Sequence, residues 1–291
     1  MKFGISMFPT DTSANPAQVA NEAEQRGFDA FWVSEHSHIP VSTQFPIADT
    51  VPREYASMLD PFVALAFAAH ATTKIKLGTA IVILPQHDPI NCAKAVASLD
   101  LLSNGRVLLG IGAGWNEPEM ENHGTDPKTR FKLMRERVEA MRALWSSETA
   151  EYHGELVDFD PVWQWPKPVQ QPHPPVFVAG ASPRVINRVA SYGDGWLPVV
   201  IPEANSISPG RMTPLAEFSE MVPKMNALAE ANGRPKPRIV VSGYLDAEAF
   251  AVYSELGVES VSLRVPSGSM DEICRAMDDA QATITRVGGL M

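Results

Sequence analysis

The chain has 291 residues and a hydrophobic fraction of 45%, which is enough for one large barrel or two smaller domains with a full apolar core. Its formal net charge is −10 and it has no basic run, so neither a nucleic-acid partner nor an anionic membrane is expected. Cys92 and Cys274 lie far apart and are expected to be lone thiols, as in proteins of a reducing compartment. Because no long apolar segment resembles a leader or a membrane span, we expect a cytoplasmic location.

Short apolar runs alternate with helical segments along the whole chain. The predicted strands cover residues 3–8, 28–33, 75–84, 107–111, 175–179, 195–200, 238–241 and 259–265. The predicted helices cover residues 16–27, 62–71, 90–102, 125–146, 183–192, 215–232, 246–256 and 270–285. This alternation predicts an α/β fold, a closed (β/α)8 TIM barrel that forms one domain over residues 1–291. In such a barrel the functional site lies at the carboxyl ends of the strands.

Three segments fit no simple strand–helix unit and are predicted to be insertions at the carboxyl-terminal face of the barrel. Residues 37–58 contain three prolines and form a long irregular loop, and residues 147–174 are expected to run over the surface. Residues 202–214 form a third loop that is rich in proline. Loops of this length are usually functional, so we expect these segments to shape a substrate pocket.

Three glycines alternate with other residues at the end of the fourth predicted strand. Residues 110–117 read Gly-Ile-Gly-Ala-Gly-Trp-Asn-Glu, and they follow a continuous apolar run. Bare backbone after a buried strand lets a flat or phosphorylated ligand approach closely, and Trp115, Asn116 and Glu117 then stand where they could touch it. The spacing differs from the dinucleotide fingerprint, because no helix packs on a third glycine. Either a tight barrel turn or a binding wall explains the pattern.

The sequence Gly180-Ala181-Ser182-Pro183 lies between a predicted strand and a predicted helix. Ser182 can cap this helix, with Pro183 in its first turn. Free backbone N–H groups and the helix dipole at such a position can hold a phosphate. A plain helix cap would have the same sequence, so both interpretations stand.

Acid–base chemistry has one leading pair of candidates. Glu35 and His36 follow the second predicted strand, where they could transfer a proton near neutral pH or form a solvated pair. The other candidates are Asp11, His38, His87 and His123. No spacing typical of metal ligands is present, so no metal is expected, and the chain has neither a nucleophile elbow nor a strand-end lysine. We therefore expect a bound organic cofactor to supply the reactive group.

Several of these segments together resemble the bacterial luciferase-like monooxygenase superfamily. They are residues 31–36, 77–85, 88–89, 97–107, 110–117, 175–182 and 192–196. The resemblance covers nearly the whole chain in order and implies a (β/α)8 barrel. It is strongest to the branch that uses the deazaflavin coenzyme F420, whereas the other branch uses reduced FMN with oxygen.

The resemblance also implies roles for individual residues. Glu35 and His36 would lie near the cofactor ring, with His36 moving a proton and Glu35 holding its tautomer or contacting the ring. A non-prolyl cis peptide bond would fall at Ala80-Ile81, against the ring face. The residues implied to contact the cofactor are Ala80, Ile81, Ala113, Gly114 and Asn116, and those implied to take its phosphate are Ala179, Gly180, Ala181 and Ser182.

Two positions depart from the pattern of the superfamily. Its sugar-phosphate dehydrogenases have a glutamate directly after the glycine motif, where this chain has Trp115, so oxidation of a sugar phosphate is not expected. Glu117, two residues later, is kept as a third catalytic candidate. The acid before the histidine is more often aspartate, and Glu35 extends its reach by one methylene without changing the charge.

The leading hypothesis is an oxidoreductase that transfers hydride between coenzyme F420 and a small organic substrate. One alternative is an FMN-dependent monooxygenase that consumes oxygen, and another is a non-catalytic flavin-binding barrel. A cofactor-free lyase or isomerase is a further alternative. The resemblance implies a homodimer, for which helices 62–71 and 90–102 could supply an interface.

Overall fold

A closed ring of eight parallel strands forms the centre of the protein, whose computed structural model describes residues 1–203 and 212–288. The strands are β1 (Lys2–Met7), β2 (Ala30–Val33), β3 (Lys76–Thr79), β4 (Val107–Gly112), β5 (Val176–Ala179), β6 (Gly195–Leu197), β7 (Arg238–Gly243) and β8 (Ser260–Arg264). Each strand pairs with the next, β1 pairs with β8, and the pairing of Ile239 in β7 with Trp196 in β6 completes the ring. The predicted (β/α)8 barrel is confirmed.

Helices surround the ring and cover its outer face. They are α1 (Pro16–Gln25), α2 (Arg53–Ala56), α3 (Pro61–Ala71), α4 (Pro89–Leu102), α5 (Glu117–Asn122), α6 (Arg130–Ser146), α7 (Val185–Tyr192), α8 (Leu215–Ala231), α9 (Ala247–Leu256) and α10 (Met270–Arg286). The strands are apolar because they are buried on both faces: all six residues of β4 and all four of β2 are buried. Trp32 and Phe177 fill the inside of the ring, with their rings edge to face and centroids 6.1 Å apart.

Capping side chains fix where several helices begin. Asn15, Asp60 and Asp88 each accept a hydrogen bond from a backbone N–H of the first turn, and a proline follows each of them. Proline fits the first helical turn because its missing N–H has no partner there anyway. Asn15 therefore fixes the start of α1.

The third predicted strand is interrupted where the resemblance implied a cis peptide bond. The Ala80-Ile81 peptide is cis, as predicted, and the chain resumes pairing with β4 only at Val82–Ile83. The glycines of β4 make room for this bulge. A methyl group on Gly112 would lie 2.9 Å from Cδ1 of Ile81, and one on Gly110 would collide with the carbonyl oxygen of Thr79. Part of the glycine motif is therefore explained by packing against the bulge.

The insertions are more ordered than the sequence indicated. Residues 147–174 contain an antiparallel hairpin, Thr149–His153 with Asp158–Trp163, which was not predicted. The long loop at 37–58 contains the short helix α2. After β6, Val199–Ile201 and Thr213–Pro214 form a small parallel extension of the sheet, and a 3₁₀ turn covers Leu84–Gln86. Residues 204–211 of the predicted proline-rich loop lie outside the described residues.

Residues 125–146 were predicted as one helix, but α6 begins only at Arg130. Asp126-Pro127 opens a turn before it, in which Thr129 N–H donates to the carbonyl of Asp126. The short helix α5 precedes that turn, and two residues after its end lies Gly124, whose positive φ of 76° suits glycine. Over residues 1–203 and 212–288, no helix combines the length and the apolar character needed to cross a membrane.

Candidate functional site

A cavity of about 450 Å³ opens at the carboxyl ends of the barrel strands. Its wall is mainly apolar. Aromatic rings come from Phe8, Phe45, Tyr55 and Trp115, and the bulge contributes Ala80, Ile81 and Ile83. Polar groups are few: Ser34, Glu35 and His36 follow β2, Ser6 lies on β1, Ser242 on β7 and Arg264 on β8. A concave apolar pocket of this size with a few convergent polar groups is typical of a site for a small molecule or cofactor.

His36 is the best-defined polar group of the cavity. It is 7% exposed, and its Nδ1 lies 2.7 Å from Oε2 of Glu119, which is fully buried. The backbone N–H of Ser37 donates to the other carboxylate oxygen of Glu119 over 3.1 Å. On the opposite side of the ring, Trp115 Nε1–H donates to His36 Nε2 over 3.2 Å. Because an indole N–H can only donate, this network assigns the proton of a neutral imidazole to Nδ1.

Glu119 was not among the predicted site residues. It lies on α5, a helix of six residues, in which only Glu119 and Met120 are buried. Six residues are too short to give a clear hydrophobic period, so the sequence does not indicate which carboxylate points inward. One feature of the sequence does distinguish Glu119 from the other acids of α5. It directly follows the proline of the first turn and directly precedes Met120, which is buried.

Glu35 lies beside His36 in the sequence but makes its contacts elsewhere. Its Oε1 lies 2.7 Å from Nε2 of His87, and its Oε2 accepts a hydrogen bond of 2.6 Å from the N–H of Ile83. Glu35 therefore ties the end of β2 to the strand that resumes after the bulge. The residue that holds His36 through its ring nitrogen is Glu119.

A second, more polar cavity of about 340 Å³ adjoins the main cavity, and Glu35 and His36 line both of them. His87 and His123 also line it. His123 Nε2 lies 2.7 Å from the hydroxyl of Ser37, and burial, followed by the neighbouring His38, lowers the pKa of His123. Over the described residues, no group of three or more His, Cys, Asp or Glu side chains is placed to hold a metal ion.

The side chains of Trp115, Asn116 and Glu117 lie in three different environments. Trp115 lines the cavity. Asn116 is 3% exposed and exchanges hydrogen bonds with Thr43, which fixes the loop at 37–58 against α5. The side chain of Glu117 is 58% exposed and pairs with Arg130 at 3.2 Å. The structure does not bring Glu117 together with His36.

The loop at 37–58 supplies aromatic residues that the sequence did not single out. Phe45 and Tyr55 have centroids 5.1 Å apart, and Phe45 lies 5.7 Å from Trp115. Tyr55 also lies 5.4 Å from the ring of His36. This cluster, Phe45, Tyr55 and Trp115, forms one side of the cavity and packs beside the imidazole.

The predicted phosphate segment lies at the end of β5, outside the lining of the main cavity. Its Gly180 has φ +140°, and the carbonyl of Gly180 accepts a 3.0 Å hydrogen bond from Trp196. Ala181 is buried, while Ala179 and Ser182 are half-buried. Ser182 was expected to cap the following helix, but α7 begins later, at Val185, with Arg184 in the cap position.

The residues of the main cavity fit a flat organic ring. Ala80 and Ile81 present an apolar face, and Gly114, with φ +77°, lines the cavity without a side chain. Ala113 is buried and is not among the residues that line the space. A ring that lay against the bulge would share the cavity with the imidazole of His36. The imidazole could therefore contact the cofactor or a small substrate bound beside it.

Comparison with known proteins gives the family of the chain. The sequence model of the luciferase-like monooxygenase family matches residues 1–247. The uncharacterized protein Rv0953c of Mycobacterium tuberculosis is 39% identical over 99% of this chain and 97% of its own length.

Two further relatives have named activities and match parts of the chain. The F420-dependent hydroxymycolic acid dehydrogenase of M. tuberculosis is 32% identical over 78% of this chain and 56% of its own length. The oxygenase component of the flavin-dependent trigonelline monooxygenase of Acinetobacter baylyi is 33% identical over 55% of this chain and 41% of its own.

The fold has a close match among solved structures. The monooxygenase RslO1 from Streptomyces bottropensis superposes with a TM-score of 0.79 at 22% identity, covering 98% of this chain and 99% of its own. The relatives include both F420-dependent dehydrogenases and flavin-dependent monooxygenases, so an oxidoreductase with a flavin-type cofactor is the common feature. The chain belongs to the luciferase-like monooxygenase family.

Proposed function

We propose that the protein is an F420-dependent oxidoreductase that transfers hydride between the deazaflavin and a small organic substrate. The observation that carries this proposal is the buried His36–Glu119 pair, which places an oriented imidazole in the same apolar cavity as the Ala80-Ile81 bulge. The 32% identity to a dehydrogenase that is named F420-dependent supports the choice of cofactor. When bound, coenzyme F420 supplies a ring carbon that accepts or donates hydride.

His36 would move the proton that accompanies the hydride. An alcohol that loses hydride from its carbon must also lose the proton of its hydroxyl, and Nε2 of His36, the ring nitrogen that Glu119 does not hold, would be the base that takes it. The buried carboxylate of Glu119 would stabilise the positive charge on the ring while the proton is held, and it keeps the ring in one orientation. In the reverse direction His36 would return the proton to a carbonyl oxygen.

The substrate is expected to be largely apolar near its reacting carbon. The cluster of Phe45, Tyr55 and Trp115 borders the imidazole and offers mainly ring surface. Trp115 also occupies Nε2 through its N–H, so a substrate hydroxyl must displace that donor or share the nitrogen with it. Trp115 stands where related sugar-phosphate dehydrogenases have a glutamate, so we propose an uncharged alcohol or ketone.

The cofactor would be held by two parts of the barrel. Ala80, Ile81 and Gly114 would contact the ring, and the segment from Ala179 to Ser182 would take the phosphate. Titration of the protein with F420 and with FMN, followed by fluorescence and calorimetry, tests this. We expect tight binding of F420, and tight FMN binding with none for F420 would overturn the choice.

The second candidate is an FMN-dependent monooxygenase. It is favoured by the 33% identity to the oxygenase component of a flavin-dependent monooxygenase. Such an enzyme consumes oxygen during turnover, whereas the proposed F420 enzyme should not. An oxygen electrode therefore separates the two. A non-catalytic flavin-binding barrel would bind cofactor without any turnover.

We also propose that the protein forms a homodimer. α3 and α4 carry apolar side chains on the surface: Val63 and Phe67 are 57% and 58% exposed, and Leu102 is 77% exposed. Burial of such residues in an interface would be favourable. Light scattering during gel filtration gives the mass, and a monomer at micromolar concentration would contradict the proposal.

A further inference from the structure

A groove of about 440 Å³ lies on the outside of the barrel, between α6 and α7. Its walls include Phe131, Lys132 and Arg135 from α6 and Arg188 and Tyr192 from α7. Arg130 is the first residue of α6, and Arg184 directly precedes α7. Five cations thus meet at one place on a protein whose formal net charge is −10.

Three of the five cations pair with acidic side chains. Arg130 pairs with Glu117, Lys132 with Glu155 and Arg135 with Glu139. Within residues 1–203 and 212–288, neither Arg184 nor Arg188 forms an ion pair with a carboxylate. Burial, followed by the positive charges of Arg184 and Arg130, lowers the pKa of Arg188. An anion in the groove would relieve this repulsion.

The groove also contains buried polar atoms that lack partners. Tyr192 is 4% exposed, and its hydroxyl has no hydrogen-bond partner among the described residues. The same is true of Nε of Arg188, whose guanidinium is held 4.1 Å from the centroid of the Phe131 ring. A buried donor without an acceptor is costly, so a ligand that brings acceptors is expected here.

The position of the groove relates it to the proposed cofactor site. The segment from Ala179 to Ser182 leads through Arg184 into α7, and Arg188, which lines the groove, lies about one helical turn beyond Arg184. A ligand that carries further acidic groups beyond its phosphate would reach Arg184 and Arg188. FMN ends at its phosphate, whereas coenzyme F420 continues into a chain of glutamates.

We propose that the groove between α6 and α7 binds the carboxylates of the oligoglutamate tail of the cofactor. Arg184 and Arg188 pair with the carboxylates, and the hydroxyl of Tyr192 donates to one of them. This inference rests on the proposed function, because only a tailed deazaflavin has these groups. Contacts to the tail would let the protein bind F420 more tightly than FMN through residues outside the ring-binding cavity.

The test compares F420 with a tail of several glutamates against the form that ends at its phospholactate and has no glutamate. Calorimetry measures both dissociation constants for the wild type and for the double variant Arg184→Gln, Arg188→Gln. We expect the double variant to bind the tailed form about 5- to 20-fold more weakly and the tailless form almost unchanged. The loss should shrink as sodium chloride is raised, because exposed ion pairs are screened.

Two further variants sharpen the measurement. Tyr192→Phe removes only the hydroxyl and should weaken binding of the tailed form about threefold. Arg275→Gln, on the exposed surface of α10, removes one positive charge elsewhere and should change neither constant.

The outcomes separate the inference from the proposed function. Equal affinity of the wild type for both forms, or equal losses for both forms in the double variant, would overturn the tail site while leaving an F420 enzyme intact. Failure of both forms to bind would overturn the F420 proposal itself and the tail site with it.

Discussion

Two carboxylate–imidazole pairs lie side by side at the end of β2, and they differ in what they face. His36 and Glu119 meet at 2.7 Å, as do Glu35 and His87. Glu35 and His36 both line the main cavity, but His36 contacts the ring of Trp115 there, whereas the two carboxylate oxygens of Glu35 are bonded to His87 and to the N–H of Ile83. Chemical likeness of the two pairs therefore does not imply a shared role.

The surroundings of each pair decide what it can do. The imidazole of His36 borders the aromatic cluster, with its carboxylate fully buried behind it. In the second pair the buried member is the carboxylate of Glu35, which also accepts the N–H of Ile83. We therefore propose that the first pair transfers the proton and that the second supports the bulge.

Replacement of His36 by Ala is the change with the largest expected effect. It removes the base from the cavity, so turnover should fall by roughly 10²–10⁴ while the dissociation constant of F420 stays similar. Steady-state kinetics and calorimetry on the same preparation measure both. Unchanged turnover would remove His36 from the mechanism.

Glu119→Gln should have the next largest effect. The amide keeps the shape of the side chain but loses the charge that stabilises a protonated ring, so kcat should fall about 10- to 100-fold with KM little changed. Glu117→Gln is the matched control, because its side chain is exposed and paired with Arg130, and it should leave kcat unchanged. Equal losses in the two variants would contradict the assignment.

Glu35→Ala should act mainly on stability. It leaves the N–H of Ile83 and the ring of His87 without their acceptor, at a cost of about 1–3 kcal/mol in the free energy of unfolding. Urea denaturation measures this cost. The turnover of protein saturated with cofactor should remain within about threefold of the wild type, and a large loss of kcat at full saturation would give Glu35 a chemical role.

Trp115→Phe has the smallest expected effect and tests the contact between the indole and His36. It removes the donor from Nε2 and keeps an aromatic ring in the cluster, so turnover should change by less than about threefold. Nitrogen NMR of the imidazole should show the proton on Nδ1 in the wild type. A proton on Nε2 would contradict the hydrogen-bond network.

The sequence predicts the barrel well because its strands are short apolar runs between clear stops. It also predicts that His36 and Trp115 lie on one rim, since both follow strands whose carboxyl ends meet. It does not predict Glu119, because helix α5 is too short for its buried face to be read from a period. The hairpin at 149–163 was missed because prolines around it favoured an irregular surface segment.

The cations of the groove between α6 and α7 are even harder to predict from the sequence than Glu119. Its cations are separated in the sequence into two groups, at 130–135 and at 184–188, and neither forms a basic run. Packing of α7 beside α6 brings them together. A composition with net charge −10 gives no hint of a local anion site.

The most direct test of the account compares His36→Gln with His87→Gln under saturating F420 and with an alcohol found by screening. Both variants replace an imidazole that lies 2.7 Å from a carboxylate, so they differ mainly in which pair is broken. The rate of cofactor reduction should fall by roughly 10²–10⁴ in His36→Gln and by less than about fivefold in His87→Gln. Similar rates in the two variants would contradict the assignment of proton transfer to His36.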